Sequence, residues 1–255
     1  MTNTVSNPGA REWATIEQDA PGYSPAILAE RIGAARMLPW VKLFLQLTQK
    51  SQTVLDLGSG TGHVSALLAA HGRRPTLVDF SRENLDFSRA LFERLGLEAR
   101  FVHGDITRPL PFEAGSFDVV ICCSVLQFFT DEQLRHLRQE ALRLARRRVI
   151  FSAPNALCLA YRLGRRHLVK SGRWHWPTER CFRTLRPVLC PDGDGPFREF
   201  TVGPRHGLNF LTMPGGPLLR KLLSLAGVAD RPTPAALAQG YMRVAVLDKE
   251  SGPSA

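Results

Sequence analysis

Residues 53–62 read Thr-Val-Leu-Asp-Leu-Gly-Ser-Gly-Thr-Gly, and this stretch predicts the fold of the chain. Thr53 to Leu57 is a short apolar run that suits a buried strand. Glycines follow at three alternate positions, and an amphipathic run then extends from His63 to His71. The order of strand, glycine-rich turn and helix is typical of a site that holds a nucleotide-like ligand at the carboxyl end of a strand. The helix start there offers unpaired N–H groups to negative charge.

The spacing of the glycines distinguishes this loop from the dinucleotide fingerprint G-x-G-x-x-G. The third glycine of that fingerprint would fall at position 63, which is a histidine, whereas this chain reads G-x-G-x-G with Asp56 before it. The next strand-like run ends at Asp79, about 20 residues after the loop, where an acid accepts hydrogen bonds from both ribose hydroxyls. The two segments therefore favour a ribose-containing ligand.

Five segments, in order, resemble the class I S-adenosylmethionine-dependent methyltransferases of the small, single-domain type. They are VLDLGSGTG (54–62), TLVDFS (76–81), HGDITRPLPF (103–112), SFDVVICCSVLQFF (116–129) and ARRRVIFSAPN (145–155). Each segment alone is common, but the five in this order and spacing are specific. The resemblance favours this family over the nicotinamide-dependent enzymes.

The resemblance implies S-adenosyl-L-methionine as the cofactor, S-adenosyl-L-homocysteine as its product, and no metal. The glycine loop would surround the methionine end, Asp79 would bind the ribose hydroxyls and Phe80 would lie against the adenine. Asp105 would accept a hydrogen bond from the adenine amino group, with Ile106 on the other face of the ring. The full implied set is Asp56, Gly58, Ser59, Gly60, Gly62, Asp79, Phe80, Asp105, Ile106, Cys122, Ser124 and Gln127.

Several of these residues also have plain structural interpretations. Gly62 fits a packing glycine, and Asp105 fits a residue that caps the following turn. Cys122 and its neighbour Cys123 lie in an apolar strand, where buried thiols are common. Many members of the family carry a histidine near position 127 or 128, where this chain has Gln127-Phe128, so a base from this loop is not expected.

The candidate catalytic bases lie outside the core of the fold, because a hydroxyl acceptor benefits from a histidine near neutrality. His175 lies between two tryptophans in an expected lid, and His206 lies in the segment Val202-Gly-Pro-Arg-His-Gly-Leu-Asn209. Either histidine also fits a structural role. Tyr23 and Tyr161 are further candidates.

Composition agrees with a compact enzyme. The chain has 255 residues, of which 44% are hydrophobic, so it forms one large domain or one domain with an appendage. We expect no signal peptide and no transmembrane segment, because the start of the chain is polar and the apolar runs are short. The five cysteines form no C-x-x-C pair, which argues against a disulfide framework or zinc site and favours the cytoplasm.

The alternation of strand and helix patterns predicts an α/β fold with a doubly wound, Rossmann-like, mostly parallel sheet of seven strands and helices on both faces. Residues 1–50 are expected to form an N-terminal helical cap, with the first ~12 disordered, and residues 51–153 the cofactor-binding core. A basic, aromatic insertion at 154–215 follows the fifth strand, and we expect it to lie on the substrate side and to determine the acceptor. Residues 216–255 are expected to add a helix and an edge strand.

Basic residues are concentrated between Arg143 and Arg186, where twelve Lys or Arg accompany one acid, Glu179, in a chain of net charge +10. The segment could bind an anionic or carrier-bound acceptor. It could instead bind RNA, with Trp174 and Trp176 stacking on bases. It could also be a solvated basic face, including one that rests on anionic lipid headgroups.

The function expected from the resemblance is methyl transfer to a small-molecule acceptor, most plausibly at an oxygen of a hydrophobic or aromatic metabolite with an acidic group. Two alternatives stay open. One is an RNA methyltransferase that uses the basic segment, and the other is a non-catalytic protein that binds S-adenosylmethionine as a regulatory module.

Overall fold

The computed structural model describes residues 24–33, 39–50, 52–174, 179–191, 196–225, 233–234 and 240–249. The predictions of a disordered N-terminus and of a catalytic role for His175 fall outside these ranges. None of the helices in the described ranges is both long and apolar enough to cross a lipid bilayer.

A mixed sheet forms the centre of the described molecule, in the order β3-β2-β1-β4-β5-β8-β6-β7. Strands β1 to β5 are parallel to one another, and β8 is antiparallel to both β5 and β6. Seven of the described strands have at least four residues each, which matches the predicted number of strands. Strand β7 adds a two-residue pairing with β6. The strands are β1 Thr53–Leu57, β2 Arg74–Asp79, β3 Arg100–His103, β4 Phe117–Cys123, β5 Ala145–Pro154, β6 Phe197–Val202, β7 Thr233–Pro234 and β8 Met242–Asp248.

Helices cover both faces of this sheet, which confirms the predicted doubly wound fold. On one face, α5 packs Leu134, Leu137 and Ala141 into an apolar cluster with β4 and β5. On the other face, α2 and α3 pack against β1 and β8, and α1 packs beside α4. The helices are α1 Pro25–Gly33, α2 Pro39–Leu47, α3 His63–Ala70, α4 Arg82–Leu95, α5 Asp131–Leu144, α6 Leu159–Lys170, α7 Arg186–Leu189, α8 Pro204–Gly207 and α9 Gly216–Leu225, with 3₁₀ turns at Leu126–Phe128 and Leu208–Phe210.

The carboxyl ends of the parallel strands meet at one edge of the sheet. The registers Leu57↔Val78, Asp79↔His103 and Cys123↔Ser152 bring the last residues of adjacent strands side by side. Residues 54–57 and 75–79 are buried, as expected for strands covered on both faces. The polar residues that follow these strands therefore converge on one edge.

The prediction that residues 241–248 form an edge strand was wrong. Strand β8 lies inside the sheet, because the insertion after β5 supplies β6, which pairs with β8 on its other side. Arg243 of β8 is buried and donates hydrogen bonds to Asn155 at 3.1 Å and to Glu199 of β6 at 3.2 Å. The insertion therefore contributes to the sheet as well as to the surface.

Gly62 ends the glycine loop and precedes α3, with a φ of +69°. A Cβ there would lie 2.6 Å from the Ser88 hydroxyl and 2.9 Å from a methyl of Leu77. Ser88 is buried and donates a hydrogen bond to the Gly60 carbonyl at 3.0 Å, so it has little freedom to move. The surroundings of Gly62 support the packing interpretation.

We expect Gly62→Ala to lower the free energy of unfolding by about 3 kcal/mol, because left-handed strain and overpacking add. The matched control is Gly115→Ala, since Gly115 has a φ of +66° but nothing within 4 Å of an added Cβ. That control should lose only about 1 kcal/mol. Urea unfolding of both variants measures the difference, and equal losses would contradict the packing argument.

Candidate cofactor and acceptor site

One cavity of about 690 Å³ opens at the carboxyl edge of the parallel strands. Its wall at one end is formed by the glycine loop and by the ends of β2 and β3. Its wall at the other end is formed by residues that follow β4 and by the insertion. The cavity therefore joins the site implied by the glycine loop to the part of the chain expected to determine the acceptor.

The glycine loop is held against β2 by backbone hydrogen bonds. The N–H groups of Gly58 and Ser59 donate to the Val78 carbonyl at 2.9 and 3.1 Å. Gly58 has a φ of +70°, and a Cβ there would lie 2.8 Å from Val125. Only a residue without a side chain lets the loop turn this close to the segment after β4.

Asp79 connects three elements of the site. Its Oδ2 accepts the Gly60 N–H at 2.8 Å, and its Oδ1 accepts the Ser81 N–H at 2.9 Å. Ser81 is also the N-cap of α4, where its hydroxyl accepts the Asn84 N–H at 3.1 Å. Burial raises the pKa of Asp79, and these hydrogen bonds act in the opposite direction.

Asp56 lies at the same edge, at the end of β1. Its Oδ2 accepts a hydrogen bond from the Ser65 hydroxyl at 2.7 Å. Burial raises its pKa to about 7, the Ser65 bond lowers it, and the charge of Asp79 raises it further. The carboxyl of Asp56 therefore changes its charge near neutral pH.

Buried polar atoms on this wall lack protein partners. Asp56 Oδ1, Ser59 Oγ and Asn84 Oδ1 are buried without a hydrogen bond to any residue that the structure describes. All three residues line the cavity. Because unsatisfied buried polar groups are costly, their position indicates a polar ligand at this end of the cavity.

The residues expected near an adenine ring also line the cavity. Phe80 follows β2, and Asp105 and Ile106 follow β3. The Oδ1 of Asp105 accepts the Thr107 N–H at 2.9 Å and the Thr107 hydroxyl at 2.7 Å, so the turn-capping interpretation is present as well. The His103 ring contacts the Phe80 carbonyl at 3.0 Å, which ties the two strand ends together.

The structure exchanges the roles expected for the two adjacent cysteines. Cys122, which the sequence placed beside the cofactor, is fully buried in the apolar cluster under α5. Cys123 lines the cavity instead, because successive side chains of a strand point to opposite faces. Burial raises the pKa of the Cys123 thiol to about 11, so the thiol is neutral.

Ser124 and Gln127 line the cavity as expected, and Gly62 does not. Ser124 has a φ of +58°, which marks a sharp turn at the end of β4. Gln127 donates from Nε2 to the Ser124 carbonyl at 2.7 Å, while its buried Oε1 has no partner among the described residues. The turn therefore contributes both residues to the cavity wall.

Aromatic residues form the far end of the cavity. Trp174, His206 and Tyr241 line it together with Phe128 and Phe129. Behind this wall, Tyr161 packs its ring at 4.7 Å from Phe210 and 4.9 Å from Tyr241, measured between centroids. His206, a candidate base, therefore lies at the cavity, whereas Tyr161 lies behind its wall.

Glu179 is a buried acid of the cavity wall that the sequence did not identify as functional. It is 8% exposed, lines the aromatic end and accepts the Tyr161 hydroxyl at 2.7 Å. Burial raises its pKa to about 7, and hydrogen bonds from Tyr161 and Trp174 and the charge of Arg165 lower it. The next residue, Arg180, donates its N–H to the Gln127 carbonyl at 2.9 Å, which fixes Glu179 beside the turn after β4.

One feature of the sequence could have pointed to Glu179. It is the single acid among twelve basic residues between 143 and 186. None of those twelve is among the described residues of the cavity wall, where Arg31 is the basic side chain. Several form ion pairs elsewhere, such as Arg146 with Asp118 at 3.0 Å and Arg180 with Asp131 at 2.7 Å. The local basic excess therefore lies outside the cavity.

Comparison with known proteins agrees with this geometry. Residues 54–148 match the family model of the methyltransferase domain. A ubiquinone biosynthesis O-methyltransferase of Coxiella burnetii is 33% identical over 116 residues, which cover 46% of this chain and 49% of the relative. A cypemycin N-terminal methyltransferase of a Streptomyces species is 39% identical over 99 residues, which cover 39% of this chain and 38% of that protein.

A solved structure extends the likeness to most of the fold. A Thermotoga maritima S-adenosylmethionine-dependent methyltransferase, described as a possible histamine N-methyltransferase, has a TM-score of 0.61 at 18% identity. The match covers 94% of this chain and all of that one. The chain spans about half the length of the first curated relatives it matches.

The fold is that of the class I S-adenosylmethionine-dependent methyltransferases. Residues 54–148 within this fold match the methyltransferase-domain model.

The raised pKa of Asp56 gives a test in the protein without ligand. The native carboxyl binds a proton between its unfolded pKa of 3.8 and its folded pKa of about 7, so stability falls as pH rises through this window. We expect Asp56→Asn to gain stability relative to the wild type between about pH 4 and pH 7, on the order of 4 kcal/mol. Urea unfolding across this pH range measures it.

Asp118→Asn is the control, because the pKa of Asp118 is lowered. Burial raises that pKa, but hydrogen bonds from Thr53 and the charges of Arg146 and Arg147 outweigh it. A carboxyl whose pKa is lowered by folding contributes a constant stability above its unfolded pKa. The free energy of unfolding of this control should therefore change with pH in parallel with that of the wild type above about pH 5. A parallel curve for Asp56→Asn as well would show that Asp56 is not buried as described.

Proposed function

We propose that the protein transfers a methyl group from S-adenosyl-L-methionine to an oxygen of a small-molecule acceptor. The observation that carries the proposal is that one cavity joins the Asp79 wall to the aromatic wall with Glu179. Methyl transfer requires both ligands to meet in line, and alignment in one closed site supplies much of the acceleration.

The residues of the cofactor end fit this ligand. Asp79 offers carboxylate oxygens for ribose hydroxyls, and Phe80 and Ile106 offer apolar surfaces for a flat base. The unpartnered oxygens of Asp56 and Ser59 suit the polar methionine end, where no Cβ intrudes at Gly58. The bound sulfonium would supply an activated methyl group. Gly62 does not line the cavity, and we assign it a packing role behind this wall, against Ser88 and Leu77.

The acceptor end favours a flat, largely apolar molecule with one polar group. Trp174, Tyr241 and Phe128 supply aromatic surface, and Glu179 supplies an oxygen that accepts a hydrogen bond. The absence of the twelve basic residues of segment 143–186 from the described wall gives no support to an anionic acceptor at this end. A neutral hydroxyl compound therefore fits the described side chains better than a carboxylate or phosphate.

Glu179 and His206 are the two candidate bases for the acceptor proton. Both line the aromatic end, and a carboxyl with a pKa of about 7 suits proton removal at neutral pH. Arg165, whose Nε lies 3.5 Å from the Glu179 carboxylate, balances the charge when the carboxyl is ionised. We favour Glu179, because Tyr161, Trp174 and Arg165 hold it in place.

The named relatives support methyl transfer but differ in acceptor, since one carries an O-methyltransferase name and another an N-terminal methyltransferase name. The choice of oxygen therefore rests on Glu179. An RNA acceptor gains little support from the described cavity wall, where Arg31 is the one residue of the Lys or Arg type. A cytoplasmic site of action agrees with five cysteines that are free in the structure. Turnover of any acceptor would exclude a purely regulatory role.

Calorimetric titration with S-adenosylmethionine tests the cofactor assignment. Asp79→Asn should weaken binding by about 100-fold, because it removes a buried charge and an acceptor for ribose hydroxyls. Asp86→Asn is the matched control, since Asp86 is an exposed acid of α4, and it should bind normally. Preference for NAD over S-adenosylmethionine, or unchanged binding by a folded Asp79→Asn, would overturn the assignment.

The pH dependence of turnover tests the role of Glu179. With a hydroxyl acceptor, kcat/KM should rise with pH to a plateau above about pH 7, as the carboxyl loses its proton. Glu179→Gln should remove this rise and lower the plateau by about 100-fold. S-adenosylmethionine binding should be retained, which separates this result from a failure of the cofactor assignment.

Tyr161→Phe is the control that distinguishes a base from an anchor. The Tyr161 hydroxyl lowers the pKa of Glu179, so its removal should move the rising limb to higher pH while the plateau is kept. If Glu179 only anchors the wall, Tyr161→Phe should lower kcat/KM without shifting the pH at which it rises. In that case His206 would be the base, and the rise of kcat/KM with pH should disappear in His206→Gln.

A further inference from the structure

Exposed apolar side chains are concentrated on two helices outside the cavity. The described residues include eight large hydrophobic side chains that are exposed, and seven of them lie on α6 or α9. These are Leu159, Leu163, Val169, Leu218, Leu219, Leu222 and Leu225. Apolar side chains that are exposed in such numbers on two helices indicate an interaction site.

Helix α9 turns its apolar stripe to solvent. Leu218, Leu222 and Leu225 follow the spacing of one helical face, and their exposed fractions are 64%, 55% and 76%. Arg220 and Lys221 are also exposed, and the helix sequence GPLLRKLLSL contains no acid. This combination of leucines and cations is typical of helices that lie in the interfacial plane of a membrane.

Helix α6 presents a similar mixture. Leu159 and Leu163 share an exposed face with Arg162, Arg166 and Lys170, at positions three and four residues apart. Its opposite side is buried, where Tyr161 and Gly164 pack against Phe210. This helix contains no acid either.

Helix α6 adjoins the aromatic end of the cavity, and α9 begins beside Leu211, which follows the 3₁₀ turn that α6 contacts. Helix α6 packs on the 3₁₀ turn at Leu208–Phe210, and α9 begins a few residues after that turn. Through Tyr161, α6 also contacts the rings of Trp174 and Tyr241, which line the cavity. A surface that binds α6 and α9 would therefore lie close to the acceptor end.

We propose that α6 and α9 form a docking surface for an anionic lipid bilayer. The leucines would enter the boundary between headgroups and acyl chains, and the cations would pair with lipid phosphates. Charge favours this occupant over a second copy of the chain, because face-to-face pairing of α6 would place cations against cations. The exposed leucines favour it over RNA, whose phosphate backbone offers them no apolar partner.

Vesicle co-sedimentation of the full chain tests the proposal without any methyl acceptor. We expect binding to vesicles of phosphatidylcholine mixed with phosphatidylglycerol, and at most weak binding to phosphatidylcholine alone. The double variant Leu218→Ser with Leu222→Ser should reduce the partition coefficient about tenfold or more. Arg162→Gln with Arg166→Gln should reduce binding to the anionic vesicles and leave the weak binding to neutral ones unchanged.

Matched controls lie elsewhere on the surface. Ile27→Ser removes the eighth exposed hydrophobic side chain, on α1, and Arg94→Gln removes an exposed cation of α4. Both should bind vesicles as the wild type does. No binding to anionic vesicles, or equal loss in the controls, would overturn the proposal. Two further results would also overturn it. One is a concentration-dependent dimer of the wild type that is lost in the leucine double variant, and the other is RNA binding that this variant retains.

Discussion

The two hydrogen bonds that Asp79 accepts are the interaction on which the rest of the site depends. One comes from Gly60 in the glycine loop and the other from Ser81 at the start of α4, so a single carboxylate joins the loop, the end of β2 and the next helix. Burial opposes its ionisation, and the N–H groups stabilise the charge. The edge of the sheet is thereby organised around this carboxyl group before any ligand binds.

The parts of this site that the sequence predicted are those fixed by local backbone geometry. Strand β1, the loop with Gly58 and the acid at the end of β2 each depend on a few adjacent residues, and parallel pairing then brings them together. The exchange of Cys122 and Cys123 had a different cause. Alternation along a strand is certain, but which of two apolar neighbours faces the ligand depends on the packing of α5.

Glu179 and the position of β8 could not be predicted because both depend on contacts distant in the sequence. Glu179 reaches the cavity through Tyr161 of α6 and through the bond from Arg180 to Gln127, and no local pattern encodes either contact. Strand β8 is interior because β6, more than 40 residues earlier, covers its outer edge. The insertion has weak periodicity, so its sequence did not predict a strand of this kind.

The charge of the chain has opposite signs inside and outside the cavity, which a net value of +10 conceals. The described wall carries four acids, Asp56, Asp79, Asp105 and Glu179, against one residue of the Lys or Arg type, Arg31. The exposed cations of α6 and α9 are Arg162, Arg166, Lys170, Arg220 and Lys221. A cationic sulfonium is favoured within the cavity, whereas an anionic surface is favoured outside it, so one chain can attract both without competition. The basic segment that first indicated an anionic acceptor is therefore better explained by what lies next to the protein than by what enters it.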